Sequence, residues 1–231
     1  MLRLRTILGL KDAGLSLSEI RDYLDGGKHT EKKIAELTER RDLLSRAIEN
    51  LQIRSTAPGD LTVREIELPE RLCLCRTVKA RDGAHALAVI GEFYDELIHA
   101  GVPISRAWPE FCEYPDNELL KGEFPVTNFT VTACLPVDKN NAQPEVVRYP
   151  AGRALVVNYK GSYYDLWKAY AALRRYIDEN GYIPSGYPQE IYLEIEADGS
   201  VRLDETCNIT RIIVPVKEMD KEKQNIGIKE A

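Results

Sequence analysis

No stretch of this 231-residue chain approaches the roughly 20 consecutive apolar residues that cross a bilayer. The N-terminus also lacks the basic, apolar and small-residue succession of a signal peptide, so the expectation is a cytoplasmic protein with no membrane partner. Five cysteines, an odd number, with no export signal argue for thiols and against a disulfide framework. The nucleophile elbow, the phosphate-binding loop and clustered metal ligands are all missing. Hydrolases of the elbow type, phosphate-loop enzymes and metal enzymes therefore lose their sequence basis. No cofactor, metal or catalytic residue is assigned. Cys73 and Cys75 would share a strand face, but without His or further Cys nearby they read as structural thiols before they read as a metal site.

A concentrated basic footprint is lacking as well. The net charge of -6 divides unevenly: residues 1–54 hold 11 Lys+Arg against 9 Asp+Glu, leaving -8 for the remainder. Nothing beyond residue 54 resembles a nucleic-acid face, and the bulk of the protein is not expected to bind DNA directly.

What is present is an ordinary globular composition, 44% hydrophobic and 29% charged, enough for one large or two modest domains. Leu2, Leu4, Ile7, Leu8 and Leu10 predict a helix apolar on more than one face, stopped at Gly14. Ser16-Leu17-Ser18-Glu19 is a capping-box pattern, followed by Ile20, Tyr23 and Leu24 and closed by Gly26-Gly27. From Thr30 a third helix is predicted to about Gln52. Ile34, Leu37, Arg41, Leu44, Ile48 and Leu51 are spaced along it by 3, 4, 3, 4 and 3, which is a heptad seam. About three heptads are marginal alone, so either a second chain covers this stripe or it lies on its own domain.

Residues Leu2 to Leu24 are similar to the helix pair that follows the winged helix-turn-helix of MerR-type transcription regulators. The resemblance implies that the long helix, residues 30–54, forms an antiparallel coiled coil in a homodimer, with residues 1–29 as a remnant of the DNA-binding domain. In that family the DNA-reading parts precede this pair, and here Met1 stands almost inside it. Promoter DNA is thus an expected partner only where a helix-turn-helix lies upstream.

After a turn-rich linker, residues 55–60, a pattern occurs twice, in halves 61–138 and 145–217. Strands at Val63 to Leu68 and Leu72 to Val78 join at Pro69-Glu70-Arg71. Glu145 to Tyr149 and Ala154 to Tyr159 repeat them around Pro150-Ala151-Gly152. Helices follow, with Leu87, Ile90, Tyr94 and Leu97 in one and Leu166, Tyr170, Leu173 and Ile177 in the other, stopping at Gly101 and Gly181. Strands then come at Trp108 to Tyr114 and Tyr187 to Ile195, and last at Asn128 to Pro136 and Asn208 to Pro215. Pro109 and Pro188, Phe111 and Glu190, and Pro136 and Pro215 are each 79 residues apart. Two β-β-α-β-β units imply an α+β fold: an antiparallel sheet with two helices on one face and a groove on the other. Residues 218–231 read as a charged tail, expected to be disordered.

The second half, with Tyr149-Pro150-Ala151-Gly152-Arg153, Tyr159-Lys160-Gly161-Ser162-Tyr163 and Pro188 to Leu193, resembles the GyrI-like effector-binding domain over about residues 61 to 217. Drug-responsive members place a binding glutamate at the position matching Glu190, which implies a small-molecule partner. Strand alternation puts Glu190, Tyr192 and Glu194 on one face and Ile191, Leu193 and Ile195 on the other, the apolar set toward the helices. Phe111 is the duplicated position of Glu190, so a ring would oppose a carboxylate across the groove. That pairing suits a lipophilic cation, each ring adding roughly 0.5–2 kcal/mol. Trp108, Tyr94, Tyr163 and Trp167 are further ligand-site candidates, with Tyr164 and Tyr187 behind them. Other readings stay open: a solvated acid at a strand start; a hydrolase of reactive small molecules using Glu190 with Tyr192 or Tyr163; a gyrase-binding or other protein-interaction module. His85 and His99, on the first helix, read as structural, and His29 lies in a loop.

Overall fold

The computed structural model describes residues 2–25, 30–55, 57, 59–105, 108–115, 118–122, 127–138, 145–193 and 208–219. The chain divides into two units, 1–50 and 51–231. In the first, α1 (Leu2–Asp12) is followed by α2 (Leu17–Leu24), and α3, Thr30–Arg54, begins there and has its last four residues in the second unit. Gly14, at φ 84°, takes the left-handed conformation that ends a helix without a Cβ penalty. The capping box forms: Ser16 Oγ accepts the Glu19 N–H at 3.3 Å, and Glu19 Oε2 accepts the Ser16 N–H at 2.7 Å. Lys33 Nζ lies 2.8 Å from Glu19 Oε1, and this ammonium, with the Ser16 donors, holds the carboxyl at a pKa of about 2. Leu15 and Ile20 are buried behind the cap. The Gly26-Gly27 stop and His29 lie outside the described residues.

The heptad stripe of α3 is bare in the single chain. Ile34, Leu44, Ile48 and Leu51 are 58%, 56%, 56% and 68% exposed, Arg41 is exposed and Leu37 is half-buried.

The second unit carries β1 (Arg64–Leu68), β2 (Arg71–Ala80), α4 (Gly83–His99), β3 (Phe111–Glu113), α5 (Glu118–Lys121), β4 (Phe129–Val137), β5 (Val147–Tyr149) and β6 (Gly152–Lys160). A 3₁₀ turn at Tyr163–Asp165 then leads into α6 (Trp167–Asn180), β7 (Tyr182–Pro184), β8 (Gln189–Tyr192) and β9 (Ile209–Glu218). The fold is α+β. Its sheet is antiparallel in the order β1-β6-β9-β8-β3-β4-β2-β5, with β7 pairing with β9 outside that path. The order mirrors the duplication, because each half supplies a three-stranded block and the blocks meet where β3 pairs with β8.

Two of the sequence's strand pairs are consecutive without being partners. β1 pairs with β6, in the other half, and β5 returns the exchange by pairing with β2. Proline explains it. A two-residue hairpin needs positive φ at its first central residue, whereas Pro69 and Pro150 fix φ near -65°, so each first strand runs on to the opposite block. The strands expected over 108–114 and 187–195 are shorter, starting after Pro109 and Pro188, which have no N–H for a ladder. Glu194 and Ile195 lie outside the described residues, as do residues 220–231, while Glu218 belongs to β9 and not to a tail.

α6 ends at Gly181, φ 68°, where an added Cβ would meet no atom within 4 Å. Gly181→Ala therefore isolates backbone strain, and a loss of about 1 kcal/mol in denaturant or thermal unfolding is expected.

Both sheet faces are buried. Toward the helices, α4 packs on Leu74, Cys112, Val131 and Ala133, and α6 on Leu155, Val157, Ile212 and Val214. On the opposite face Cys73, Phe111, Cys134, Val156, Ile191 and Ile213 form a separate cluster, with Trp108 and Leu193 at its margin. The expectation for β8 is thus inverted: Ile191 and Leu193 turn away from the helices, and Glu190 and Tyr192 turn toward them. With apolar material on both faces, alternation separates two sides without saying which one the helices cover.

Candidate functional site

Glu190 is 3% exposed on the central strand β8, in the seam between the two halves. Its carboxylate is held by phenols. Tyr170, projecting from α6, donates to Oε1 at 2.6 Å, and Tyr192, two residues along β8, donates to Oε2 at 2.7 Å. The Tyr114 hydroxyl, just past β3, lies 2.8 Å from that of Tyr192 and completes the cluster. Burial pushes the Glu190 carboxyl above its ordinary value, and the Tyr170, Tyr192 and Tyr114 hydrogen bonds offset only part of that. Burial also moves Tyr114, Tyr170 and Tyr192 well above the usual phenol range, so all three remain donors near neutral pH.

Above this cluster is a cavity of about 160 Å³, walled by Ala86, Leu87 and Ile90 of α4, by Phe129, and by Tyr163 and Leu166 at the entry to α6. Tyr163 stands edge-on to Tyr192, with centroids 5.6 Å apart. The 3₁₀ turn that presents Tyr163 is capped by Ser162 Oγ, which accepts the Tyr164 N–H. Among the described residues Glu190 is the acid of this cavity, and none of those lining it is Lys, Arg or His. A buried carboxylate facing aromatic and aliphatic walls without a basic partner is an incomplete electrostatic arrangement. A larger cavity, about 550 Å³, lies among α1, α2 and α3, but Lys32 and Lys33 line it beside its acids Glu19, Asp22 and Glu36, and Lys33 pairs with Glu19 and Glu36. Chemical demand, more than volume, singles out Glu190.

Of the residues proposed from sequence, Glu190, Tyr192 and Tyr163 come together here. Phe111 and Trp108 do not. The ladder partner of Glu190 is Cys112, so Phe111, its neighbour, points to the opposite face. There the Arg71 guanidinium lies 4.9 Å from the Phe111 centroid, 5.0 Å from that of Trp108 and 5.4 Å from that of Tyr149. These rings already face a cation, one supplied by the chain itself. Arg71 also donates to Gln189 at 3.0 Å, Gln189 donates to Glu113 at 3.0 Å, and Tyr149 donates to Glu113 at 2.8 Å. Tyr94 packs on Phe93 and donates to the Phe111 carbonyl at 3.4 Å, away from the cavity lining. Trp167 is 48% exposed, with Lys168 over its ring, and Tyr164 and Tyr187 are exposed. The expected groove on the face away from the helices is replaced by the cavity on the helix side. Tyr114 and Tyr170 are the residues sequence reasoning left out of the site. Tyr170 lies at core spacing on its helix, and only the sheet register brings its hydroxyl to Glu190.

Residues 63–217 match the GyrI-like small molecule binding domain, the greater part of the chain. The chain belongs to the GyrI-like family. The crystal structure of the EcmrR C-terminal domain is similar at 23% identity, covering 68% of this chain and 98% of that one, with a TM-score of 0.56. A cryo-EM structure of an EcmrR–DNA complex is similar at 24% identity, covering 94% of this chain and 82% of that one, with a TM-score of 0.57. A hydrolase encoded by lin2189 from Listeria innocua matches at 14% identity over 70% of this chain and 94% of its own, at a TM-score of 0.45. No curated protein sequence matches the chain. The EcmrR similarities establish a common fold, and the Glu190 cavity lies within the GyrI-like domain. Among the described residues no helix is long and apolar enough to cross a membrane.

Proposed function

We propose that the GyrI-like domain binds a lipophilic cation, with Glu190 as its counter-ion, as the sensing part of a MerR-type transcription regulator. The observation that carries the reading is a buried carboxyl group on aromatic walls with no basic side chain among the described residues that line its cavity. A cation supplies the missing charge in a low-dielectric setting, and Tyr163 and Tyr192 offer it ring faces. Drug-sized ligands need roughly 300 Å³ or more. Entry therefore displaces the Tyr163 turn and opens the cavity beyond its present 160 Å³. The helical front, the bare stripe of α3 and the fold shared with EcmrR, which was captured in complex with DNA, support a homodimer that conveys occupancy to promoter DNA. Hydrolysis by Glu190 is the second reading, since a raised carboxyl suits proton transfer. Both its oxygens already accept tyrosine hydrogen bonds, which favours charge recognition over proton abstraction.

The test is a pH titration of binding with matched cationic and neutral dyes. The cation selects ionised Glu190, so its affinity should fall about tenfold per pH unit below the folded pKa, while the neutral dye changes little. The linked effect on stability has a definite sign. Because the folded pKa lies above the ordinary 4.5, protonation favours the folded state. Glu190's contribution to stability is therefore full below 4.5 and declines as pH rises through the folded value. Saturating cation should reverse that decline. Equal pH dependence for both dyes would remove the counter-ion role.

A further inference from the structure

On the sheet face away from α4 and α6, a second cluster is unrelated to Glu190. Cys75 of β2 and Cys134 of β4 are direct cross-strand partners, with sulfurs 3.2 Å apart. The next facing rung, Thr77 and Thr132, also touches, at 2.9 Å between hydroxyls, so the side chains of this ladder meet squarely. Directly opposed antiparallel residues have Cα atoms roughly 4.5–5.5 Å apart, inside the 4.4–6.8 Å range that a disulfide spans. Cys73, on the same face, stands opposite Pro136 and has no thiol across the ladder.

The members of the pair differ in access. Cys75 is partly exposed and Cys134 fully buried. The β5 ladder stops at Cys73 paired with Val147, one turn of the pleat before Cys75. The Tyr149 oxygen lies 3.2 Å from the Cys134 sulfur and 3.7 Å from that of Cys75. As Cys75 ionises, the Cys134 S–H is its nearest donor, and this contact holds the Cys75 thiol below its ordinary value against the opposing effects of burial and of Glu113. Burial pushes Cys73 up to about 12 and Cys112 higher still.

We propose that Cys75 and Cys134 are a reversible oxidation site for hydroperoxides, Cys75 reacting first and Cys134 resolving. The Cys75 thiolate attacks the outer oxygen of the hydroperoxide; an S–O bond forms, the O–O bond breaks, and the alkoxide or hydroxide leaves with a solvent proton as alcohol or water. Cys134 then attacks the Cys75 sulfur. The S–S bond forms, the S–O bond breaks, and hydroxide departs with the Cys134 proton as water. Two thiols and one hydroperoxide become one disulfide, one alcohol or water, and one further water.

The experiment is hydrogen peroxide treatment of the reduced full chain, thiol counting, and peptide mapping by mass spectrometry. Two of the five thiols should disappear. A single Cys75–Cys134 crosslink should be found, and dithiothreitol should restore both thiols. In Cys134→Ser, Cys75 should stop as a sulfenic acid that dimedone captures, whereas Cys75→Ser should leave Cys134 unoxidised. The wild-type map needs no variant to fold. Five thiols surviving peroxide, a crosslink through Cys73, Cys112 or Cys207, or dimedone capture at Cys134 before Cys75 would overturn the proposal.

Discussion

Glu190→Gln is expected to weaken binding of lipophilic cationic dyes by about 100-fold, on the order of 3 kcal/mol, within the 2–5 kcal/mol typical of removing one member of a buried charge pair. A neutral dye of the same shape should lose less than about twofold, because glutamine keeps the volume and an acceptor for the tyrosine hydroxyls. The variant also guards against a trivial explanation. Burial raises the Glu190 carboxyl above its ordinary value, so at neutral pH this group costs the ligand-free protein stability in either protonation state. Glutamine removes that cost, and the ligand-free variant should melt no lower than wild type at pH 7. Lost cation binding with unchanged melting isolates the charge. Cation and neutral dyes weakened alike would point to a packing role, and dye bound by the variant as tightly as by wild type would refute the assignment of Glu190.

The second large effect is expected at α3. Replacing Leu44 and Ile48 together by Asp should convert a homodimer into monomers at micromolar concentration, read by sedimentation or light scattering. Both residues are 56% exposed in the single chain, so a partner is what would bury them. Burying a Leu or Ile side chain contributes roughly 1.5–3 kcal/mol, and twofold symmetry counts each position twice. The double substitution thus removes about 6 kcal/mol or more, some four decades in dissociation constant. Its far-ultraviolet spectrum should be nearly unchanged, since neither position belongs to the buried core. A wild-type monomer, or a dimer that survives both aspartates, would mean that the heptad stripe is covered in some other way.

Much of this could be read along the chain because it is local. Ser16 and Glu19 are three residues apart and cap α2 whatever lies around them. Gly101 and Gly181 end their helices at φ 68° because left-handed backbone excludes a Cβ. The duplication survives as spacing, and Glu190 stood out through the resemblance of Pro188 to Leu193 to the GyrI-like pattern and through its duplicated partner Phe111. The companions of Glu190 were harder to see. Tyr170 is 20 residues away on a helix and Tyr114 is 76 residues away beside another strand. Their convergence depends on β3 pairing with β8 in the register that sets Cys112 against Glu190. A shift of one residue would have turned Phe111 toward the cavity, as the 79-residue spacing suggested.

The sequence by itself determined the α+β class, the two repeated halves and the long helix with its heptad spacing, since periodicity, proline and glycine act over a few residues. Only the tertiary structure decided which face the helices cover, the exchange of β1 and β5 between the halves, and the enlistment of Phe111 and Trp108 by Arg71. Those outcomes depend on pairing between distant strands. When both faces of a sheet are buried, alternation along one strand carries no sign for which side is which.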